Sequence, residues 1–260
     1  PPKGNSTGKF SSIVTEGDQS FRMKLTEIDY PHISKQYLLE PNESKGVKIN
    51  FETKVKKIAY LKGAGDKVAQ SIRNIGIAVT EFDVDDLQLE RISEFPTLVV
   101  GIRAFNVHKE LIFKNEILWE YVNRGGTIIV QYNTSRGLDS SIIAPYPINL
   151  SRDRVTDEAS RVKLLIPGHP ILNTPNKISS IDFEGWVQER GLYFANNWDS
   201  HYSALLSMND YGESPKKGSL LVANYGKGKF IFTGLSFFRE LPAGVPGAFR
   251  LFANLISYGQ

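Results

Sequence analysis

The chain has 260 residues, 41% hydrophobic and 23% charged, with 31 Lys and Arg against 28 Asp and Glu. This is globular composition with room for a sizeable core, and a net charge of +3 spread along the chain gives no footprint for a nucleic-acid partner. No apolar run reaches the ~20 residues of a membrane span, and zero cysteines exclude disulfides, thiolate metal ligands and cysteine nucleophiles.

The chain opens Pro-Pro-Lys-Gly-Asn without Met, which reads as a piece of something longer. Residues 1–20 are rich in Gly, Ser, Thr and Lys and read as a linker or disordered end. Residues 21–52 alternate weakly through Phe21, Met23, Leu25 and Ile28, then Val47, Ile49 and Phe51, and read as a short β appendage. From 53 to 260 the pattern becomes that of an α/β domain.

Val55 to Leu61 predicts a strand, and Val68, Ile72 and Ile75 predict a helix stopped by Gly76. A strand over 77–82, a short helix over 85–92 and an apolar strand over 97–100 follow. A long helix over 108–124 leads to a strand over 127–130. Apolar strands alternating with helices imply a parallel sheet with helices on both faces. Residues 134–200 give few regular signals, and such a stretch is usually functional. Strands are expected over 204–208 and 218–224. Tyr225-Gly-Lys-Gly228 then predicts a tight turn into a hairpin partner over 229–233, and Pro246 opens a final helix to Tyr258.

Ligands of an open parallel sheet bind beyond the carboxyl ends of its strands. That rule brings Gly63-Ala-Gly-Asp66, Gly101-Ile-Arg103-Ala-Phe-Asn106 and Gln131-Tyr132-Asn133 together. Asp66 reads either as a helix cap or as part of an anion-holding turn. Arg103 suits a carboxylate, phosphate or sugar, with Asn106 beside it, or pairs with a nearby acid. Arg152 and Arg154, in the charged run 151–158, read as a clamp on a ligand or as a solvated loop held by carboxylates. Phe183-Glu184-Gly-Trp186-Val-Gln-Glu189-Arg190 puts a tryptophan between two carboxylates. Trp186, Trp198 and Tyr193 form a sugar-stacking platform on one reading and core aromatics on the other. Glu184 and Glu189, or Asp153, would supply a glycosidase pair. The four histidines, His32, His108, His169 and His201, lack metal-site spacing, and no metal ligand set is expected.

The strings YLKGAGDKVAQSIRNIG, VVGIRAFN, GGTIIVQYNT, LSRDRVTDE, DFEGWVQERGLYF and GKGKFIFTGLSFFRELPAGVPGAFRLFANL resemble the C-terminal region of bacterial PIG-L (LmbE-type) deacetylase-family proteins. The resemblance implies a flavodoxin-like, class I glutamine amidotransferase-like domain beside an upstream zinc-dependent N-acetylglucosaminyl deacetylase. The zinc would sit in that upstream domain, with no cofactor in this chain. It also implies a periplasmic or secreted location. The amidotransferase thiolate is missing, since the expected turn reads Gln131-Tyr132-Asn133. The expectation is therefore an accessory module, with no catalytic residue of its own, that binds amino-sugar glycans or docks on its own upstream catalytic domain. A hydrolase working through Glu184 and Glu189, or a purely structural domain, are the alternatives. On the module reading, Trp186→Ala weakens glycan binding and leaves folding intact.

Overall fold

The structure, a computed structural model, describes residues 6–260; residues 1–5 of the expected linker lie outside the described residues. The chain divides into two compact units, Pro1–Asn50 and Phe51–Gln260. The first contains β1 (Ser6–Ser11), β2 (Val14–Glu16), β3 (Gln19–Phe21), β4 (Met23–Ile28), β5 (Gln36–Pro41) and β6 (Glu43–Lys48). They pair antiparallel as β1–β6, β2–β3 and β4–β5. Strands thus occupy much of 6–20, where a linker was expected. Gly17, at φ +56°, permits the two-residue turn between Glu16 and Gln19, so the glycine there marks a hairpin. Among the described residues none of 6–50 is buried, and the facing pair Leu25 and Leu39 is 61% exposed on each side. This unit has no core of its own.

The second unit is α/β. Its elements are β7 (Lys57–Leu61), α1 (Val68–Asn74), β8 (Ala78–Phe82), α2 (Leu89–Ile92), β9 (Thr97–Val100), α3 (Ala104–Val107), α4 (Asn115–Asn123) and β10 (Thr127–Val130). After them come β11 (Ile148–Val155), β12 (Lys163–Leu164), β13 (Gly191–Trp198), β14 (Ser203–Ala204), β15 (Leu206–Ser207), β16 (Leu220–Tyr225), β17 (Gly228–Thr233), α5 (Phe237–Ala243) and α6 (Pro246–Ser257). Seven strands form one sheet in the order β14-β16-β17-β10-β9-β7-β8. The five strands from β17 to β8 are parallel to one another, whereas β16 is antiparallel to β17, and β14, antiparallel to β16, closes that edge. The sheet is therefore mixed and not wholly parallel as expected. The two-residue Gly226-Lys227 turn explains the change, because so short a connection can only reverse the chain.

The core follows from strand periodicity. Ala59, Leu61, Leu98, Val100, Ile128 and Val130 share a cluster with Leu118, Tyr121 and Val122 of α4. Alternation sends Ile58, Val99 and Ile129 to the other face, where α6 runs against β9 and β10. Buried Thr97 and Thr127 hydroxyls donate to Ile256 O (2.7 Å) and Tyr258 O (2.6 Å), tying the end of α6 to the sheet.

Three expected elements differ in detail. The 85–92 helix shrinks to Leu89–Ile92, because turns at Asp83 and Val84 take up its start. The 108–124 helix begins as a 3-10 stretch over Lys109–Lys114 that buries Leu111 and leaves Phe113 exposed. The expected 204–208 strand splits at Leu205, its halves pairing with β16 and β12 respectively. Within 134–200 lies an unexpected antiparallel pair, β11–β13, whose three register shifts break the alternation that would have advertised it.

Candidate functional site

The carboxyl ends of β7, β9, β10 and β17 define one rim of the sheet. Between β7 and β9 the strand order switches direction, the usual place for a ligand crevice. Here the chain closes that crevice itself. Ala64 N donates to Ile102 O at 2.8 Å, and Gly63 lies so close to Ile102 O and Gly101 that a Cβ has no room. Beneath this crossing Tyr60 donates to both Asp66 carboxylate oxygens, at 2.8 and 2.7 Å. Gln131 Nε2 donates to the Tyr60 hydroxyl at 3.2 Å. Burial, then the Asp66 charge, holds the Tyr60 phenol well above its ordinary pKa, so it remains a donor. Asp66 also accepts from Val68 N at 2.8 Å and from Ile102 N at 3.4 Å. It is a structural carboxylate at the start of α1, not an open anion-holding turn.

The two asparagines are likewise engaged. Asn133, fully buried, accepts from Phe105 N at 3.1 Å and donates to Gln131 O at 3.0 Å. Asn106 accepts from Thr134 N at 2.8 Å and donates to Thr134 O at 3.0 Å, stapling the turn after β9 to the turn after β10.

Arg103 and Tyr132 differ. Arg103 sits in the left-handed region at φ +53°, fixed there by its N–H to Tyr132 O at 2.8 Å. Arg103 Nε is buried without a hydrogen-bond partner, although the residue as a whole is partly exposed. Tyr132 stacks on Tyr193 at 6.1 Å and meets Phe238 at 5.1 Å. Tyr193 is itself left-handed, at φ +52°. Arg239 closes the group, over the Phe238 ring at 4.8 Å and ion-paired to Glu189 at 2.7 Å. Burial raises the Tyr132 pKa, and Arg103 works against that rise. Non-glycine residues rarely adopt positive φ, and such strain persists where the surroundings fix a functional geometry.

The candidates of 151–190 are placed elsewhere. Arg152 and Arg154 are exposed on β11. The run after them is held by the Asp210 carboxylate, which accepts from Thr156 N and Asp157 N, each at 2.9 Å. The run thus has the form of a loop held by a carboxylate, the alternative to the clamp reading. Trp186 is 3% exposed and donates its indole N–H to Asp182 O at 3.0 Å. Its ring packs on Phe183 (5.7 Å) and Phe237 (6.1 Å), while Tyr193 stacks on Tyr132. Trp186 and Tyr193 therefore form no common sugar platform, and Trp186 is a core residue. Arg190 is 4% exposed, donates to Ser160 O (3.1 and 2.8 Å) and Phe183 O, and lies 5.6 Å over the Trp186 ring. Glu184 is exposed at the lip of a cleft of about 470 Å³ whose wall includes Trp186 and Arg190. Glu189 is committed to Arg239, so the two glutamates make no acid–base pair.

Sequence reasoning missed Phe238, Arg239 and Glu240. The signal was available: they follow a strand that ends at the same rim, but Lys229–Thr233 reads first as a hairpin partner and only the β10 pairing makes it parallel. Glu240 is fully buried, accepts from Val187 N (2.9 Å) and Ser236 Oγ (3.1 Å), and burial pushes its carboxyl up to about 7. Among the described residues no group of three His, Asp or Glu side chains is placed to hold a metal ion. No described helix is long and apolar enough to cross a membrane.

No family model matches this chain, and no curated protein matches it. Solved structures do. A cytoplasmic protein from Salmonella typhimurium LT2 is similar at TM-score 0.50 and 12% identity, over 96% of this chain and 95% of that one. A second Salmonella typhimurium protein, also described as cytoplasmic, is similar at TM-score 0.49 and 14% identity, over 97% and 95%. A Thermoplasma acidophilum protein, provisionally described as a GMP synthase component, is similar at TM-score 0.49 and 11% identity, over 79% and 96%. At these identities the likeness bears on fold alone. The LT2 protein is described as cytoplasmic, which points away from the periplasmic or secreted expectation; that expectation rested on resemblance and is withdrawn.

Proposed function

We propose that this chain is a non-catalytic binding module with a flavodoxin-like, class I glutamine amidotransferase-like scaffold. The strand order β8-β7-β9-β10-β17 supports the scaffold, since it follows the 2-1-3-4-5 order of flavodoxin-like sheets. Amidotransferase chemistry needs a low-pKa thiolate at the tip of a strand, and a chain without cysteine has none. The sequence resemblance extends this reading to an accessory role beside a PIG-L-type N-acetylglucosaminyl deacetylase, whose zinc would belong to a separate domain.

One observation carries the binding role. Arg103, partly exposed and with its Nε unpartnered, lies beside Tyr132, which gathers the Tyr193 and Phe238 rings, at the end of the sheet where such folds take ligands. Saccharides fit this chemistry, with an apolar ring face for aromatics and hydroxyls for the guanidinium. Titration of the chain with glucosamine, N-acetylglucosamine and glucuronic acid, with parallel assays for acetate and reducing-sugar release, tests the reading. Binding without turnover supports it. Turnover that disappears in Glu184→Gln would favour a hydrolase instead.

A docking role has its own support. Phe10, Leu25, Tyr37 and Leu39 of the first unit are each at least 61% exposed, an apolar surface that suits a protein partner such as the upstream catalytic domain.

A further inference from the structure

We infer that the rim around Arg103 and Tyr132 recognises an oxyanion, a carboxylate or phosphate carried on a sugar ring. The inference rests on the saccharide-binding reading and deepens it by assigning the ligand's charge.

Charge is the first reason. The charged side chains that act on Tyr132 are Arg103, Arg239 and Glu189. Glu189 is consumed by Arg239 at 2.7 Å, which leaves the Arg103 cation without a counter-charge. Among the described residues its side chain makes no ion pair, and its buried Nε has no acceptor. Nε is closed off from solvent while the residue is partly exposed, so an oxyanion would meet the open, terminal side of the guanidinium, where charge-assisted hydrogen bonds favour it.

Rigidity is the second reason. The Arg103 backbone is held in a strained conformation from both sides. Its N–H reaches Tyr132 O, and its carbonyl accepts from Asn106 N (2.9 Å) and Val107 N (3.1 Å). Asn106 in turn is stapled to Thr134 at 2.8 and 3.0 Å. The guanidinium therefore projects from a fixed base, so little order has to be gained on binding. Arg190 provides the contrast: a guanidinium with a structural task is saturated by the carbonyls of Ser160 and Phe183.

Shape is the third reason. Tyr132 and Tyr193 stack with an interplanar angle of 18°, and Phe238 lies tilted at 32° to Tyr132. Tyr193, Phe238 and Arg103 are all partly exposed. A cation at the margin of partly open rings suits a ligand with one charged substituent on an apolar ring face.

Isothermal titration of the whole chain with glucuronic acid, glucose 6-phosphate, glucose and glucosamine, and with inorganic phosphate and acetate, tests this. Arg103→Asn is the variant of choice, because asparagine tolerates the left-handed backbone and its thermal melt reports folding separately. Both acidic sugars should bind more tightly than glucose. Arg103→Asn should weaken the acidic sugars by roughly tenfold or more, the loss of one charge-assisted hydrogen bond, and glucose by clearly less, the loss of a neutral one. Preference for one acidic sugar identifies the oxyanion as carboxylate or phosphate. Glucose and glucosamine binding as well as the acids, unaffected by Arg103→Asn, overturns the oxyanion inference and leaves saccharide binding standing. Phosphate or acetate binding that Arg103→Asn abolishes, without any sugar binding, keeps the oxyanion site and removes the saccharide reading. No binding by any probe removes both.

Discussion

Two arginine–aromatic clusters in the second unit share the same chemistry and have opposite fates. Arg190 lies over Trp186 and Phe183 at 5.6 and 5.9 Å, nearly buried, with its donors spent on backbone carbonyls. Arg103 lies beside Tyr132, partly exposed, with Nε unpartnered. Composition cannot separate the two. What separates them is whether the fold brings carbonyl oxygens to the guanidinium. Around Arg190 the irregular segment 158–183 does so, and the cluster becomes a clasp that holds that segment in place. At Arg103 the β9 turn is already closed by its own backbone bonds, and the side-chain Nε finds no acceptor among the described residues.

The contrast is broken most forcefully at the clasp. Arg190→Ala removes three donated hydrogen bonds, strands the carbonyls of Ser160 and Phe183, and deprives buried Glu240 of its neighbouring cation. A loss of roughly 3–5 kcal/mol is expected in urea unfolding. Trp186→Ala should cost about 3 kcal/mol or more for the same reason, contrary to the expectation that it spares the fold.

A second test uses pH. Burial raises the Glu240 carboxyl from 4.5 to about 7, so the folded state prefers the protonated form. The stability this confers is complete below pH 4.5 and is lost as the pH rises to about 7. Across that window wild-type stability should fall by on the order of 2 kcal/mol relative to Glu240→Gln. The glutamine keeps an acceptor for Val187 N, and its amide nitrogen can donate to Ser236 Oγ, which then gives its one proton to Glu189 O (2.7 Å) instead of sharing it with residue 240. Chemical unfolding at several pH values reads the difference, and parallel profiles for the two proteins would contradict it.

Tyr60→Phe is gentler. It removes the phenol that bridges Asp66 and Gln131, and should cost about 1–2 kcal/mol in the same unfolding assay without touching ligand binding. Arg103→Asn is expected to be the smallest perturbation, within about 1 kcal/mol of wild type, because no side-chain hydrogen bond of Nε is lost and asparagine tolerates the left-handed backbone.

Much of the scaffold was legible in the sequence, for a physical reason. β9 and β10 are buried on both faces and therefore read as unbroken apolar runs. The hairpin at Gly226 was legible because its left-handed first position, crowded by Asn123, calls for glycine. β11 and β13 were hidden, because their register slips three times and polar residues such as Arg152, Arg154, Asn196 and Asn197 interrupt both strands. The site was legible only as a location. The strand-end rule pointed to Arg103 and Tyr132, but Tyr193 and Phe238 reach Tyr132 from distant segments. Spacing along the chain carries no trace of such a meeting. Arg190 and Trp186 misled for the complementary reason: a conspicuous local string shows which residues are present, not whether their donors are already taken.

The most direct test of the difference between the two clusters is backbone amide chemical-shift mapping during titration with glucuronic acid. The account predicts perturbations at 102–106, 132–134, Tyr193, Phe238 and Arg239, with 182–190 otherwise still. Shifts centred on Glu158–Val162 and Glu184–Trp186, with Arg103 and Tyr132 unmoved, would contradict it.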